Sequence, residues 1–265
     1  MSTGTLSLTL RDSSTMLRRN LRHATRNPST LLGSVVMPCV LMLLFVFAFG
    51  GTMGNGLGGA VQGVDYVDYL APGIFMLALT VGATGTSIAV AVDMTRGVIN
   101  RFRTMDIARS SVLTGHVIGS VVQSMVSMVL VIGIALAVGF RPSAGVVGWL
   151  AAFGLMALVS FALTWMAVGF GLLAKTVDSA SNLPMILQIL PFLSSTFVPA
   201  ESMAPGLRWF SEHEPFTPIT DTLRNLLLDR PVGSDWIVGV AWCLGIALVG
   251  YLWSRRLYRR DPRHT

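Results

Sequence analysis

Six long stretches without a charged side chain divide this sequence, and they limit its fold more than any other feature. No Asp, Glu, Lys or Arg occurs in residues 27–64, 69–92, 110–140, 142–174, 179–200 or 236–254. Each stretch is long enough for a membrane-spanning helix, which needs roughly 18 or more apolar residues. Only 12% of the 265 residues are charged, against about 25% in soluble domains. We therefore predict an all-α integral membrane protein, with 1–265 as one domain of six transmembrane helices.

The distribution of basic residues predicts the orientation of those helices. The predicted spans lie near residues 31–49, 69–92, 113–140, 146–174, 182–198 and 236–253. With the N-terminus inside the cell, 15 of the 19 basic residues face the cytoplasm and 4 face outside. Lys and Arg are enriched on the cytoplasmic side of membrane proteins. We therefore predict a multi-pass chain of the cell membrane with both termini cytoplasmic, and we assign its net charge of +6 to topology rather than to nucleic-acid binding.

Two segments next to the spans have helical patterns suited to the membrane surface. In residues 6–27, leucines fall on one helical face and arginines on the other, which predicts an interfacial amphipathic helix lying on membrane lipids. In residues 199–235, Ile219, Leu223 and Leu226 share one face, which predicts short re-entrant helices that dip into the outer leaflet before the last span. A disordered basic tail and a loose outer loop are the respective alternatives.

A basic loop over residues 93–112 separates the second and third predicted spans. Val98, Phe102 and Met105 recur at i, i+4 and i+7 with arginines between them, which indicates a short amphipathic helix. A helix of this length cannot cross a bilayer. It therefore lies on the membrane surface or binds a partner, and the alternative is a solvated connector that only sets the topology.

Several kinds of chemistry are disfavoured by what the predicted spans contain. They carry no Asp, Glu, Lys or Arg, whereas ion-coupled carriers need ionisable residues within the membrane. No metal site is predicted, because the four histidines are scattered along the chain. Gly169, Ala174, Lys175 and Thr176 resemble a phosphate-binding loop, but Ala174 replaces a glycine and the motif ends a predicted span instead of following a buried strand. We predict no catalytic residues and no ATP site in this chain.

Short segments along most of the chain match a known pattern in order and spacing. They are the run RFRTMDIAR from Arg101, AKT from Ala174, LSSTFVP from Leu193, MAPGLRWF from Met203, EHEPFTP from Glu212 and the pair Leu223-Arg224. With these segments the chain resembles the permeases of ABC-2 type exporters, most closely the daunorubicin/doxorubicin-resistance permeases of actinobacteria. Asp106 departs from that pattern, since relatives often carry proline there.

The resemblance implies that this chain is the permease subunit of a bacterial ABC exporter and not itself an enzyme. It implies a homodimer, or a pair with a related permease, together with a separate nucleotide-binding ATPase subunit. That partner would bind ATP and Mg, so no cofactor is expected on this chain. The 93–112 loop would be the coupling helix that contacts the ATPase, through Arg101, Phe102, Arg103, Met105, Asp106 and Arg109.

The predicted cargo is lipophilic or amphipathic, such as a drug, an antibiotic or a lipid leaving the cytoplasm or the inner leaflet. The polar residues predicted to line its path are Thr80, Thr84, Ser87, Gln188, Ser194 and Ser195. For each of these residues, ordinary hydrogen bonding between helices is the alternative. An ATP-independent carrier or channel, or a structural subunit of a membrane complex, is the alternative function.

Overall fold

The computed structural model describes residues 28–49, 65–95 and 109–259, and all regular structure within these ranges is helical. The helices in chain order are α1 (Pro28–Leu44, continued by a π-helical turn, Phe45–Phe49), α2 (Tyr66–Thr95), α3 (Arg109–Val138), α4 (Val146–Leu173), α5 (Val177–Asn182), α6 (Met185–Ile189), α7 (Pro205–His213), α8 (Phe216–Leu227) and α9 (Asp235–Arg259). Two 3-10 turns, Leu190–Leu193 and Ala200–Ser202, lie between α6 and α7. The predicted interfacial helix at 6–27 lies outside the described residues.

Four of these helices have the length and composition to cross a membrane: α2, α3, α4 and α9. They coincide with the second, third, fourth and sixth predicted spans. Helix α1 is apolar but shorter and contains Pro38. The all-helical membrane fold is thus confirmed, whereas the count of six spans stays a prediction.

The fifth predicted span, residues 182–198, is a broken segment rather than one continuous helix. Helix α6 covers only Met185–Ile189 and passes into the 3-10 turn Leu190–Leu193. Pro184 and Pro191 lie at the two breaks, where their missing N–H groups cannot continue a helical hydrogen-bond ladder. Pro184 and Pro191 therefore divide this segment into short pieces.

The broken segment nevertheless runs beside α2 in the opposite direction. Just before the segment, Ser87 donates a hydrogen bond to the carbonyl of Ala180 in α5 at 2.8 Å, and near its end Tyr69 donates to the carbonyl of Ser195 at 2.6 Å. Ser87 and Tyr69 are separated by on the order of 27 Å along α2 at ~1.5 Å per residue. The segment thus follows α2 over most of the thickness of a bilayer core, which is about 30 Å.

Helix α4 lies at the centre of the bundle, packed against α2 and α9. A Cβ atom at Gly171 of α4 would lie 2.5 Å from the carbonyl oxygen of Ser87 in α2. A Cβ atom at Gly250 of α9 would lie 2.8 Å from the backbone nitrogen of Met166 in α4. Glycine at these two positions lets three helices approach backbone to backbone, as small residues do in membrane bundles.

The bundle has two ends that differ in their connections. At the Arg141 end, the backbone amide of Arg141 donates to Asp68 of α2 at 2.7 Å, and the amide of Ser143 donates to the carbonyl of Leu227 in α8 at 3.1 Å. The opposite end, called the Lys175 end, carries the α4–α5 connection and the last turn of α2. Because α2 spans Tyr66–Thr95, it includes Asp68 and Asp93, so the helix extends beyond the charge-free stretch at both ends.

Candidate functional site

Three residues of the predicted cargo path lie on α2, and the structure pairs each of them within the chain. Thr80 donates to the carbonyl of Leu77 at 2.8 Å, and Thr84 donates to the carbonyl of Thr80 at 3.3 Å. Ser87 donates to the carbonyl of Ala180 at 2.8 Å. Thr80 and Ser87 are fully buried, whereas Thr84 is half-buried. Thr84 is therefore the residue of this group that is open to its surroundings.

Thr84 and Gln188 form the one direct contact between two residues of the predicted path on different helices of the described chain. The Nε2 amide of Gln188 in α6 donates to Oγ1 of Thr84 at 2.8 Å. Both side chains are half-buried. Between Asp68 and Asp93, α2 carries hydroxyl groups as its polar side chains and no charge. The contact face of α2 and α6 is thus polar but neutral.

Ser194 and Ser195 lie towards the Arg141 end, away from Thr84 and Gln188. Ser194 donates to the carbonyl of Pro191 at 2.8 Å and also bonds the hydroxyl of Thr196. Ser195 donates from its hydroxyl to Asp221 at 3.2 Å. Both serines are buried. The structure therefore separates the predicted path residues into two groups, one along the Thr84–Gln188 contact and one beside α8.

The second group surrounds a buried guanidinium, that of Arg224 in α8. We call Arg224, Asp221, Tyr69, Ser195 and Thr196 the Arg224 cluster. The guanidinium carbon of Arg224 lies 3.9 Å from the centre of the Tyr69 ring, and its Nε donates to the Tyr69 carbonyl at 3.2 Å. Its Nη1 pairs with Asp221, and its Nη2 donates to the carbonyls of Ser195 and Thr196 at 3.4 Å. One side chain thereby joins α2, the turn at residues 194–196 near the end of the broken segment, and α8.

The position of α8 is set by the residue pattern just before it. The carboxylate of Glu214 accepts hydrogen bonds from the backbone amides of Phe216 at 2.8 Å and Thr217 at 2.5 Å. A side-chain oxygen just before a helix stabilises its N-terminus by accepting hydrogen bonds from the free backbone amides. The Thr217 hydroxyl accepts a hydrogen bond from the amide of Ser195 at 3.0 Å. The start of α8 is therefore anchored to the same turn that Arg224 holds further along.

Glu214 is expected to make stability depend on pH. Burial raises the pKa of Glu214 to about 7 from an ordinary value of 4.5, although its two backbone hydrogen bonds oppose the rise. The folded chain thus keeps a proton between these values that the unfolded chain loses. This contribution is present below pH 4.5 and is lost as the pH rises through 7, with a slope of up to ~1.4 kcal/mol per pH unit.

The measurement is the melting temperature of the purified protein at pH 5 and pH 8, with Glu214→Gln as the comparison. Because glutamine does not titrate, this variant should lose less stability between the two pH values than the wild type. Burial also raises the pKa of Asp221. The loss of stability between pH 5 and pH 8 should therefore be smaller in Glu214→Gln than in the wild type, but not zero. An unchanged pH dependence in Glu214→Gln would contradict the role given to Glu214.

Four members of the Arg224 cluster were not singled out as functional by the sequence patterns: Arg224, Asp221, Tyr69 and Thr196. Arg224 was named only in the pair Leu223-Arg224 of the family resemblance. The i, i+3 spacing of Asp221 and Arg224 puts opposite charges on one helical face, and it could have predicted their pairing from the sequence. Among the described residues, no group of three or more His, Cys, Asp and Glu side chains could hold a metal ion.

The predicted coupling helix is bordered by a contact between a histidine and a carboxylate at the Lys175 end. Nε2 of His116 in α3 lies 3.1 Å from the Asp93 carboxylate in the last turns of α2. Arg109 is the first residue of α3. The other predicted coupling residues, Arg101, Phe102, Arg103, Met105 and Asp106, lie outside the described residues. The pair connects the two helices on either side of the coupling loop.

Comparison with known proteins decides the family. A profile of the ABC-2 type transporter family matches residues 12–228. The chain belongs to this family. Its relatives include a daunorubicin resistance ABC transporter permease protein of Streptomyces coeruleorubidus, 26% identical over 240 residues, which are 89% of this chain and 82% of the relative.

Two further relatives carry related names. A probable doxorubicin resistance ABC transporter permease protein of Mycobacterium tuberculosis is 23% identical over 256 residues, covering 94% of this chain and 90% of the relative. An inner membrane transport permease of Escherichia coli K12 is 25% identical over 229 residues, covering 83% of this chain and 86% of the relative. The resemblance found in the sequence is confirmed, and this ABC-2 chain is a transporter permease.

Proposed function

We propose that this permease forms the membrane part of an ATP-driven exporter of lipophilic or amphipathic molecules. The observation that supports this proposal is the neutral polar contact of Thr84 with Gln188 inside an apolar bundle. A site of this kind can pair one or two polar groups of a cargo, while the aliphatic surroundings suit its apolar body. The relatives named for daunorubicin and doxorubicin resistance agree with such a cargo.

In this proposal, only some of the predicted path residues contact cargo without a rearrangement of the helices. Thr84 and Gln188 contact cargo when their hydrogen bond opens, because both are half-buried. Thr80 and Ser87 lie deeper and Ser194 and Ser195 lie beside Arg224, so these residues line the path only after the helices rearrange. This division makes the Thr84–Gln188 contact the first place to look for cargo binding.

The proposed topology places the Lys175 end in the cytoplasm and the Arg141 end outside a bacterial inner membrane. Helix α1 and the broken segment are then the first and fifth of six spans, and α7 and α8 are the re-entrant outer helices. The strong excess of basic residues on one side supports this orientation, with both termini cytoplasmic. The antiparallel course of the broken segment beside α2 supports its assignment as a span.

The proposed partners are a separate ABC ATPase subunit, which binds ATP and Mg, and a second permease, most simply another copy of this chain. The coupling loop would bind the ATPase through Arg101, Phe102, Arg103, Met105, Asp106 and Arg109. The His116–Asp93 pair holds α2 and α3 together at the base of that loop. A force on the loop would therefore be transmitted to both helices at once.

Phe102→Ala is expected to weaken binding of the ATPase subunit and to uncouple its ATP hydrolysis from cargo. A buried aromatic anchor typically contributes about 2 kcal/mol or more at an interface, which corresponds to roughly thirtyfold in affinity. Arg101→Ala and Arg103→Ala should each have smaller effects, since solvated charge pairs contribute at most about 1 kcal/mol. The measurements are co-purification of the ATPase and its stimulation by amphipathic drugs in liposomes.

Matched expression of the three variants is the control for this experiment. If the loop lies on the lipid surface instead, the two arginine variants should have the larger effects and ATPase binding should not change. Full ATPase binding and full drug stimulation in Phe102→Ala would mean that the loop is only a connector. If amphipathic drugs do not stimulate ATP hydrolysis by the wild-type complex, the proposed cargo class is wrong.

A further inference from the structure

An apolar pocket opens between α4, α8 and α9. It is separate from both the Thr84–Gln188 contact and the Arg224 cluster. Its volume is about 380 Å³, within the range of about 300–1,000 Å³ for small-molecule sites. Ala151 and Gly154 of α4 form one wall, Leu226 of α8 another, and Trp236 and Val240 of α9 the third. A Cβ atom at Gly154 would meet no heavy atom within 4 Å, so the glycine faces open space.

The lining of this pocket is apolar apart from the hydroxyl of Thr222 and the indole N–H of Trp236. Its single hydroxyl side chain, Thr222, donates to the carbonyl of Pro218 at 2.6 Å and is thereby engaged within α8. The other lining side chains are aliphatic or aromatic. A polar group entering the aliphatic part of the pocket would lose its hydrogen bonds to water without replacement, which is unfavourable. The fitting occupant is therefore a hydrocarbon chain.

The pocket lies at the depth of one lipid leaflet on the Arg141 side. Gly154 is about 12 Å along α4 from Val146, its first residue, and one leaflet contributes about 15 Å of hydrocarbon. Trp236 is the second residue of α9 and is 48% exposed, a position typical of tryptophan at the membrane interface. The pocket thus extends from the interface into the acyl-chain region.

Exposed residues of both charge signs flank the pocket-lining residues in the sequence. Arg230 is exposed two residues before Val232 of the lining, and Asp235 is exposed next to Trp236. Asp229, beside Arg230, is exposed as well. A guanidinium complements a phosphate group, and a carboxylate complements an ammonium group. This combination matches the headgroup of a zwitterionic aminophospholipid better than that of a purely anionic lipid.

We propose that this pocket binds one acyl chain of a phosphatidylethanolamine-type phospholipid from the surrounding leaflet, with its headgroup on the rim. The bound chain fills the space between α4 and α9 below α8 and so contributes packing that the protein alone lacks there. This inference requires only that the bundle lies in a membrane. It does not depend on what the permease transports.

The test uses the full-length chain in liposomes with a phosphatidylethanolamine that carries a diazirine on its acyl chain. After photolysis, mass spectrometry of peptides should find labels concentrated on residues 151–158 and 236–240. Gly154→Phe should reduce this labelling severalfold because the ring occupies the pocket. Gly133→Phe is the matched control, since Gly133 of α3 is exposed with no heavy atom within 4 Å of a Cβ and lies outside the pocket.

Three outcomes would overturn the proposal. One is equal labelling of the lipid-exposed positions Val126 and Val129 of α3, and another is labelling that Gly154→Phe leaves unchanged. The third is labelling of the pocket by a diazirine alkylamine without a phosphate while the phospholipid gives none, which would assign the pocket to free amphiphiles. If Gly154→Phe does not fold, Ala151→Phe fills the same pocket from an exposed position and gives the same readout.

Discussion

Arg224→Ala is expected to lower the melting temperature by about 4–8 °C and to abolish export. The guanidinium of Arg224 is buried and bonds the carbonyls of Tyr69, Ser195 and Thr196 as well as the Asp221 carboxylate. Hydrogen bonds of charged groups contribute about 1.5–3 kcal/mol, and their removal leaves buried carbonyls unpaired. A loss of about 2 kcal/mol corresponds to the stated shift for a chain of this size.

The experiment compares thermal unfolding of the purified permease with drug accumulation in cells that express it. Arg224→Lys should rescue little, because an ammonium cannot bond several carbonyls in one plane as a guanidinium does. Arg208→Ala is the matched control, since Arg208 forms an i, i+4 pair with Glu212 at 2.7 Å with both side chains largely exposed. Arg208→Ala should show no measurable change. A wild-type melting temperature in Arg224→Ala would disprove the structural role of the Arg224 cluster.

The long helices were predictable because hydrophobic length is a local property of the sequence. The predicted spans 69–92 and 146–174 lie on α2 (Tyr66–Thr95) and α4 (Val146–Leu173). The charge-free stretch begins only after Asp68, whereas α2 begins at Tyr66 and includes this residue. Within the helix, the Asp68 carboxylate accepts a hydrogen bond from the backbone amide of Arg141, a long-range contact that the charge pattern does not contain.

The broken segment and the Arg224 cluster depend on long-range contacts, which a local pattern does not contain. Because membrane-spanning helices tolerate proline, Pro184 and Pro191 do not by themselves predict how far the helix fragments. Arg224 by itself suggested an outer-surface charge. Its burial depends on the Tyr69 carbonyl, 155 positions away in sequence. Only the folded chain brings this carbonyl to the guanidinium.

For the candidate path residues too, the sequence shows which side chains are polar, but only the structure shows their bonding partners. Their polarity predicted hydrogen bonding or cargo contact without deciding between the two. In the structure, Ser87 bonds the carbonyl of Ala180, 93 positions away, and Gln188 bonds Thr84, 104 positions away. These bonds satisfy both side chains in the absence of cargo. A role in transport therefore requires that cargo replace them, which is the content of the proposal for Thr84 and Gln188.

Gly73→Ala is expected to destabilise the permease although alanine favours helices. A Cβ atom at Gly73 in α2 would contact the Thr196 side chain and lie 2.8 Å from the Thr196 carbonyl oxygen. That carbonyl belongs to the turn held by Arg224, so α2 and the turn cannot separate without loosening the cluster. Overpacking of this kind costs about 1–3 kcal/mol, against a gain of about 0.5–1 kcal/mol from replacing a helical glycine by alanine.

Gly85→Ala provides the matched control on the same helix. Gly85 is exposed, and a Cβ atom there would meet no heavy atom within 4 Å, so only the gain from helix propensity applies. Thermal unfolding should therefore change in opposite directions for the two variants, with Gly73→Ala less stable and Gly85→Ala equal to or above the wild type. Export should fail in Gly73→Ala alone. If both variants gain stability equally, α2 and the 194–196 turn do not pack as closely as the structure shows.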